Sequence, residues 1–423
     1  MTYSEEMLQA LEDQDLDEAK KKFASALRHD DDDTLFSLAE ELQAIGFNNQ
    51  ARRIAEKLLQ KYPDADDVRL ILAELAISDD QTDEALLQLD HISQSSEVYP
   101  QSLLTAADLY QSLNLPEVSE QKLLTAKALL PDEPVVDFAL GELYLSLGRY
   151  QEALPYYQSL TEAGVDYFAQ VSIQQRLAQC LSGLGQYEEA IAIDEKLTEN
   201  LATDDQLFEL GVLYQQVNDD EKAIKILTRL QQQNADYSSL YRPLVQSQST
   251  LGRYDQALQT AQVGLGYDEF NLELYRLGAQ AAAKVGAKHQ VEDLLKKGLT
   301  IDPEAQSLRL MLGEHYLRAG RAQDSVELLA AVAEQEDEAD PQVNWELAQA
   351  YDQLDEVDQA RENYFIAYPN LKDNPQFMKQ FALFLQSQAA KDELKMAVQQ
   401  YLKLVPDDDD FQALLLELED NDF

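Results

Sequence analysis

Side chains able to do chemistry are few in this sequence and widely scattered. The four histidines are His29, His91, His289 and His315, and no two stand at metal-ligand spacing. Cys180 is the sole cysteine and lies between Leu177 and Leu181, which reads as an inert core thiol rather than a nucleophile. A single cysteine also excludes a disulfide framework and a cysteine-based zinc site. Gly264 and Gly266 form a G-x-G, but Glu269 occupies the third glycine position of a phosphate-binding fingerprint and no strand pattern precedes it. Neither a G-x-S-x-G elbow nor an H-E-x-x-H pair occurs. The acidic runs at His29–Asp33 and Asp407–Asp410 lack the alternating ligands and sixth-position glycine of a calcium loop. They read as solvated turns carrying helix N-caps. The expectation is a chain with no catalytic residues, no cofactor and no metal.

What charge there is points away from nucleic acid and lipid. Thirty-three Lys and Arg stand against 79 Asp and Glu, a net charge of −46. Phosphate backbones and anionic membranes are bound by clustered positive charge, so neither is an expected partner. A hydrophobic content of 45% is that of a folded chain rather than a disordered one. No apolar run approaches the ~18 residues of a membrane span, and the first residues, MTYSEEMLQALEDQ, lack the basic start and apolar core of a secretion signal. The expected location is cytoplasmic.

The organisation that must position any site is a repeat. LGRYQEA at 147–153, LGQYEEA at 184–190 and LGRYDQA at 251–257 each follow an apolar helical stretch and open another. With this glycine set at position 15 and the alanine at position 20 of a 34-residue unit, units begin at 32, 66, 100 and 134 without slippage. Others begin near 171, 204, 238, 272, 306, 341 and 375. A degenerate unit precedes them, with Ala19, Phe23 and Ala26 at second-helix positions, making twelve over residues 1–408. Position 15 reads Gly46, Asp80, Asn114, Gly148, Gly185, Asn218, Gly252, Gly286, Gly320 and Asp355, the residue types that best tolerate a left-handed turn ending a helix. Most prolines, Pro63, Pro100, Pro131, Pro303 and Pro406 among them, fall between units, while Pro116 and Pro155 lie in or near the first turn of a second helix. Spacing stretches to 37 between the units at 134 and 171, which predicts a longer turn around Ala163–Asp166.

This pattern resembles the tetratricopeptide repeat (TPR), whose signature runs W-x2-L-G-x2-Y, then A-x3-F, then P. The unit at 134 carries Leu140, Gly141, Tyr144, Ala153 and Tyr157. The unit at 32 has Leu38, Ala39, Leu42, Ala51, Ala55 and Pro63, and the unit at 375 has Phe381, Ala382, Leu385 and Pro406. Pro243 inside a first helix, Val291 in place of a small residue and Leu394 at position 20 depart from it. The resemblance implies an all-α, right-handed superhelical solenoid of about twelve helical hairpins, with no sheet. Small residues at positions 8 and 20 admit close helix approach, with Ala153 set opposite Gly141. A stacked array needs a polar-faced end. Residues 409–423 are expected to supply it as a capping helix with Phe411, Leu414, Leu415 and Leu418 on one face and a frayed EDNDF tail. In layout the chain is similar to uncharacterised, TPR-only cytosolic proteins of Gram-positive bacteria. No DNA-binding helix-turn-helix, metal knuckle, anchor or catalytic domain is expected beside the repeats.

The resemblance further implies that first helices line a concave face, with positions 2, 5, 9 and 12 turned into the groove. Position 5 reads Phe36, Leu70, Leu104, Phe138, Gln175, Phe208, Arg242, Tyr275, Leu310, Trp345 and Lys379, five of eleven being aromatic. Such a row either supports neighbouring helices or contacts a ligand. Position 9 gives Glu40, Glu74, Asp108 and Glu142, one carboxylate in each of four successive units. The function this implies is a non-catalytic scaffold that holds an extended, basic segment of a partner protein. The alternative is a regulatory or assembly subunit acting only within an enzyme complex.

Overall fold

The computed structural model describes residues 1–199, 202–335 and 340–420. Twenty-five α-helices occur among them, and they fall into two compact units, Met1–Leu197 and Thr198–Phe423. The first unit is six antiparallel helix pairs in chain order. Tyr3–Glu12 pairs with Leu16–His29, Asp32–Ala44 with Asn48–Lys61, and Asp66–Ser78 with Thr82–Asp90. Tyr99–Ser112 then pairs with Pro116–Leu129, Pro134–Ser146 with Tyr150–Glu162, and Ile173–Gly183 with Tyr187–Leu197. The second unit holds six more pairs, from Asp204–Gln216 with Asp220–Gln233 to Pro375–Ser387 with Lys391–Leu404, and the helix Asp409–Asp420.

Backbone chemistry dictates the turn within each pair. All ten residues of the position-15 column have positive φ, from 56° at Asp80 to 80° at Gly46. Two further turns fall in line with Gln14 (φ 60°) and Ala389 (φ 54°). After each of the twelve, the next amide donates to the carbonyl five residues earlier, as in Phe47 N–H to Leu42 O at 2.7 Å and Ala390 N–H to Leu385 O at 3.2 Å. This bond satisfies an otherwise orphaned helix-end carbonyl. Ala389 is the least suited residue of the twelve, because its Cβ crowds the carbonyl and it has no side-chain amide in compensation. Ala389→Gly is therefore expected to stabilise the protein by about 1 kcal/mol, read as a higher denaturant midpoint at unchanged slope. A lower midpoint would show that the turn does not carry this strain.

Packing follows the small-residue columns, with one change of partner. A Cβ on Gly141 would lie 2.9 Å from Cζ of Tyr157, so the close approach expected against Ala153 is made by the Tyr157 ring instead. Tyr157 and Ala153 are both fully buried. Pro243 falls in the first turn of its helix, because a 3-10 turn at Ser238–Leu240 precedes Tyr241–Thr250 and the proline needs no intrahelical donor there. Pro155 lies deeper, inside Tyr150–Glu162, and not in its first turn. Cys180 is buried in the core of the first unit, and burial pushes its thiol up to about 11, the wrong direction for a nucleophile.

The expectation of no sheet is corrected at one place. The extra residues after Glu162 form a two-stranded antiparallel ribbon, Tyr167–Phe168 with Val171–Ser172, turning through Ala169 and Gln170 at φ 45° and 70°. An insertion shorter than a helical hairpin still has to satisfy its backbone groups, and a tight β-turn does so in the fewest residues.

The end of the second unit is built around Asp408. Its carboxylate accepts from Lys379 Nζ at 2.9 Å, from the Tyr401 hydroxyl at 2.8 Å and from the Phe411 amide at 3.3 Å. These donors hold the Asp408 carboxyl below its ordinary range. Phe411 is buried against Tyr401, with ring centroids 4.5 Å apart, and Leu414, Leu415 and Leu418 pack on the same cluster. Helix continues through Glu419 and Asp420, and the rest of the tail expected to fray, 421–423, lies outside the described residues.

Candidate functional site

The position-5 and position-9 rows lie on the first helices, and those of the units at 32 and 66 share one pocket. Between Asp32–Ala44 and Asp66–Ser78 a cleft of about 360 Å³ is lined by Phe36, Glu40, Gln43, Ala44, Asp67, Leu70, Ile71, Glu74 and Val98. Positions 5 and 9 of two successive repeats thus meet in one place. Gln43 and Asp67 stand at positions 12 and 2 of their units, so the same register contains the signal for them. Ile71 and Val98 have no such signal, because they enter the cleft from neighbouring turns of structure.

Phe36 is half-buried and Leu70 is buried, so the floor of the cleft is apolar. Glu40 is exposed, and the Gln43 amide donates to Glu74 Oε2 at 2.7 Å, orienting that carboxylate from the adjacent repeat. Asp108, the third rung, is solvent-accessible yet crowded by surrounding protein. That partial desolvation raises its carboxyl above the ordinary value.

The fourth rung is different. Arg176 Nε and Nη2 donate to the two oxygens of Glu142 at 2.8 and 3.0 Å, and the Tyr157 hydroxyl donates to Oε1 at 2.6 Å. Glu142 is thus paired within the chain. Its apolar neighbour is covered as well: Phe138 stacks on Phe168 of the β-ribbon at 4.5 Å between centroids. Among the described residues, the carboxylates of Glu40, Glu74 and Asp108 have no cation within ion-pair distance. Leu104, half-buried, packs against the core cluster that includes Leu103, Leu123 and Leu140.

The second-unit members of the aromatic row are mostly packing residues. Trp345 is only 6% exposed, meets Phe377 edge-on at 5.7 Å and donates its Nε1 proton to Gln380 Oε1 at 2.7 Å. It supports the next helix and offers a partner little surface, which corrects the groove-contact expectation for it. Tyr275, at 7% exposed, is likewise buried, and a Cβ on Gly298 would press on its side chain. Phe208 is half-buried against Tyr237, whereas Arg242 is exposed.

Elsewhere the titratable groups make structure. Among the described residues no three His, Cys, Asp or Glu cluster as metal ligands would, and no helix is long and apolar enough to cross a membrane. Asp31 caps the Asp32–Ala44 helix through the Thr34 amide at 2.9 Å, and Asp32 is paired with Lys61 and the Tyr62 hydroxyl. The acidic run at His29–Asp33 is thereby spent on a turn. One carboxylate stands apart. Glu346 in Pro341–Gln353 is 4% exposed, its Oε2 has no hydrogen-bond partner, and burial pushes its carboxyl up to about 8. The space it fills is left by Gly313, whose Cβ would come within 2.9 Å of that oxygen.

Comparison with known proteins agrees with the repeat architecture. Residues 341–408 match the model described as YpiA-like, C-terminal tetratricopeptide repeats, and residues 111–165 match YpiA-like, tetratricopeptide repeats. General tetratricopeptide models match 289–343 and 171–199. The chain is 33% identical over 395 residues to the TPR repeat-containing protein YpiA of Bacillus subtilis (strain 168), covering 93% of this chain and 92% of that protein. Among solved structures, a chain of the APC/C hetero-tetramer Cut9-Hcn1 aligns over 97% of this chain and 95% of its own at 11% identity, with a TM-score of 0.42. YrrB, described as a TPR protein with an unusual peptide-binding site, aligns over 44% of this chain and 95% of its own at 16% identity, with a TM-score of 0.38. With the repeat register, the left-handed turn column and a relative matched over nearly its whole length, the chain belongs to the YpiA-like family of tetratricopeptide repeat proteins.

Proposed function

We propose that this protein is a non-catalytic interaction scaffold that holds an extended, basic segment of a partner protein along the first helices of repeats two to four. The observation that carries this reading is the cleft in which Glu40 and Glu74 stand over a floor of Phe36 and Leu70. An apolar floor with acids beside it suits a Lys or Arg side chain, whose stem packs while its head is neutralised. Asp108 extends the same charge by one repeat. Neighbouring first helices lie on the order of 10 Å apart, and an extended chain advances at most about 3.3–3.6 Å per residue. A cation at every third residue therefore meets successive rungs.

Each exposed ion pair contributes only ~0–1 kcal/mol, so the ladder acts more on orientation and association rate than on affinity. The test uses a labelled peptide of about twelve residues with Lys at every third position and Leu between, measured by stopped flow against the full chain. Changing Glu40 and Glu74 to Gln and Asp108 to Asn is expected to slow association by about three- to tenfold, with wild-type binding weakening as salt rises past the ~8–10 Å screening length. Glu142→Gln is expected to leave the association rate unchanged, because Arg176 already neutralises that carboxylate. A triple variant that associates at the wild-type rate, with no salt dependence in either protein, would refute the groove reading.

A further inference from the structure

At the opposite end of the chemical scale from the acidic cleft lies a second pocket, between the helices Tyr3–Glu12, Leu16–His29 and Asn48–Lys61. It encloses about 400 Å³, within the range of small-ligand clefts. Its apolar wall is formed by Met7, Leu11, Leu16, Phe23 and Phe47, and its polar rim by Lys20, Arg53, Asn49 and Gln50. No carboxylate lines it, in a chain where acids outnumber Lys and Arg by 79 to 33. Two acids of the same helices are engaged by other cations: Glu18 by Lys21 at 3.2 Å and Glu6 by Lys22 at 2.5 Å. Among the described residues neither Lys20 nor Arg53 has a carboxylate within ion-pair distance, and the Arg53 guanidinium lies over the Phe23 ring at 5.2 Å. Leu16, at 55% exposed, leaves apolar surface open to water at the pocket mouth.

At two later junctions the equivalent register positions carry a matched ion pair. Arg149, which follows the left-handed Gly148, pairs at 2.8 Å with Glu120, six residues after the left-handed Asn114. Arg321, which follows Gly320, pairs at 2.9 Å with Glu292, six residues after Gly286. Counting in the same way from Gln14 and Gly46, the equivalent positions at the first junction are Lys20 and Phe47. Where those two junctions place a matched ion pair, the first has an unmatched cation and an aromatic ring.

We propose that this pocket binds a small amphiphilic carboxylate, its aliphatic tail among Met7, Leu11, Phe23 and Phe47 and its carboxylate between Lys20 and Arg53. The polar side chains lie at the rim and the remaining wall is apolar, which suits a ligand with one charged end. A peptide would bring backbone groups needing partners along its length, and the lining helices have spent theirs internally. An Arg fork also matches a carboxylate in geometry.

Titration calorimetry of the full chain with decanoate is expected to show saturable one-to-one binding. Lys20→Glu with Arg53→Glu, which reverses both charges at the rim, is expected to weaken it by at least about tenfold. Ala24→Phe, which fills the pocket without touching the charges, is expected to abolish it, whereas Glu40→Gln with Glu74→Gln leaves it unchanged. Decanol is expected to bind at least about tenfold more weakly than decanoate. Absence of saturable decanoate binding, equal binding of decanol, or unchanged affinity in either the charge-reversed or the filled variant would overturn the proposal.

Discussion

Deleting residues 409–423 is expected to destabilise the second unit by about 3–5 kcal/mol or more, the magnitude of losing one buried Phe from a core. Phe411 is buried on Tyr401, and the partly buried Leu414, Leu415 and Leu418 cover the same cluster, which includes Phe377, Phe381 and Tyr401. Without the helix, that surface faces water. The deletion also removes the Phe411 amide that caps onto Asp408, leaving Asp408 with Lys379 and Tyr401 alone. Because each repeat contacts only its neighbours, the loss concentrates on the last pair, Pro375–Ser387 and Lys391–Leu404. Hydrogen exchange is expected to show those two helices losing protection first, with a lower melting midpoint and reduced solubility. Phe411→Ala should reproduce most of the loss with the chain length intact. An unchanged midpoint in both variants would mean that the terminal helix does not cap the array.

Replacing Glu346 with Gln is expected to stabilise the protein above pH 8 and to have little effect near pH 4. Burial raises the folded-state carboxyl from an ordinary value of 4.5 to about 8, with Glu314 and Asp340 pushing the same way and Gln342 and Arg318 opposing. Between those two values the folded state holds a proton that the unfolded chain releases. Stability therefore falls as pH rises through this window and is flat above it, where the buried carboxylate is charged in both states. Gln keeps the shape and removes the titration, so the difference between variant and wild type isolates this one group from the other carboxylates. At pH 9 the gain is expected to be roughly 2–5 kcal/mol, read from denaturant midpoints at a series of pH values. A difference that does not change between pH 4 and pH 9 would show that Glu346 titrates as an ordinary surface acid.

Most of the architecture was legible in residue types and spacing, because the determinants are local to the backbone. A helix that ends in a left-handed turn selects Gly, Asn or Asp whatever surrounds it, so the position-15 column marks the turns without any knowledge of packing. Gln14 and Ala389 escaped that column because their side chains only tolerate the conformation. The same register placed Phe36, Glu40, Leu70 and Glu74 on one face of successive first helices, and they line one cleft.

Register alone had no means of separating rungs that are identical in sequence but different in surroundings. Glu142 occupies the same position as Glu40, yet Arg176 from the next repeat neutralises it, 34 residues along the chain. Phe138 occupies the same position as Phe36, yet the β-ribbon lays Phe168 over it. Trp345 is buried because Phe377 and Gln380 arrive from the following repeat, and Tyr157 rather than Ala153 fills the space at Gly141 because its ring reaches further from the facing helix. The sequence by itself thus determined the helical hairpins, their turns and the faces they share, all of which depend on a residue's own conformation and its period. Only the tertiary structure decided which of those faces stays open, because a side chain's charge and exposure depend on what a neighbouring repeat brings against it.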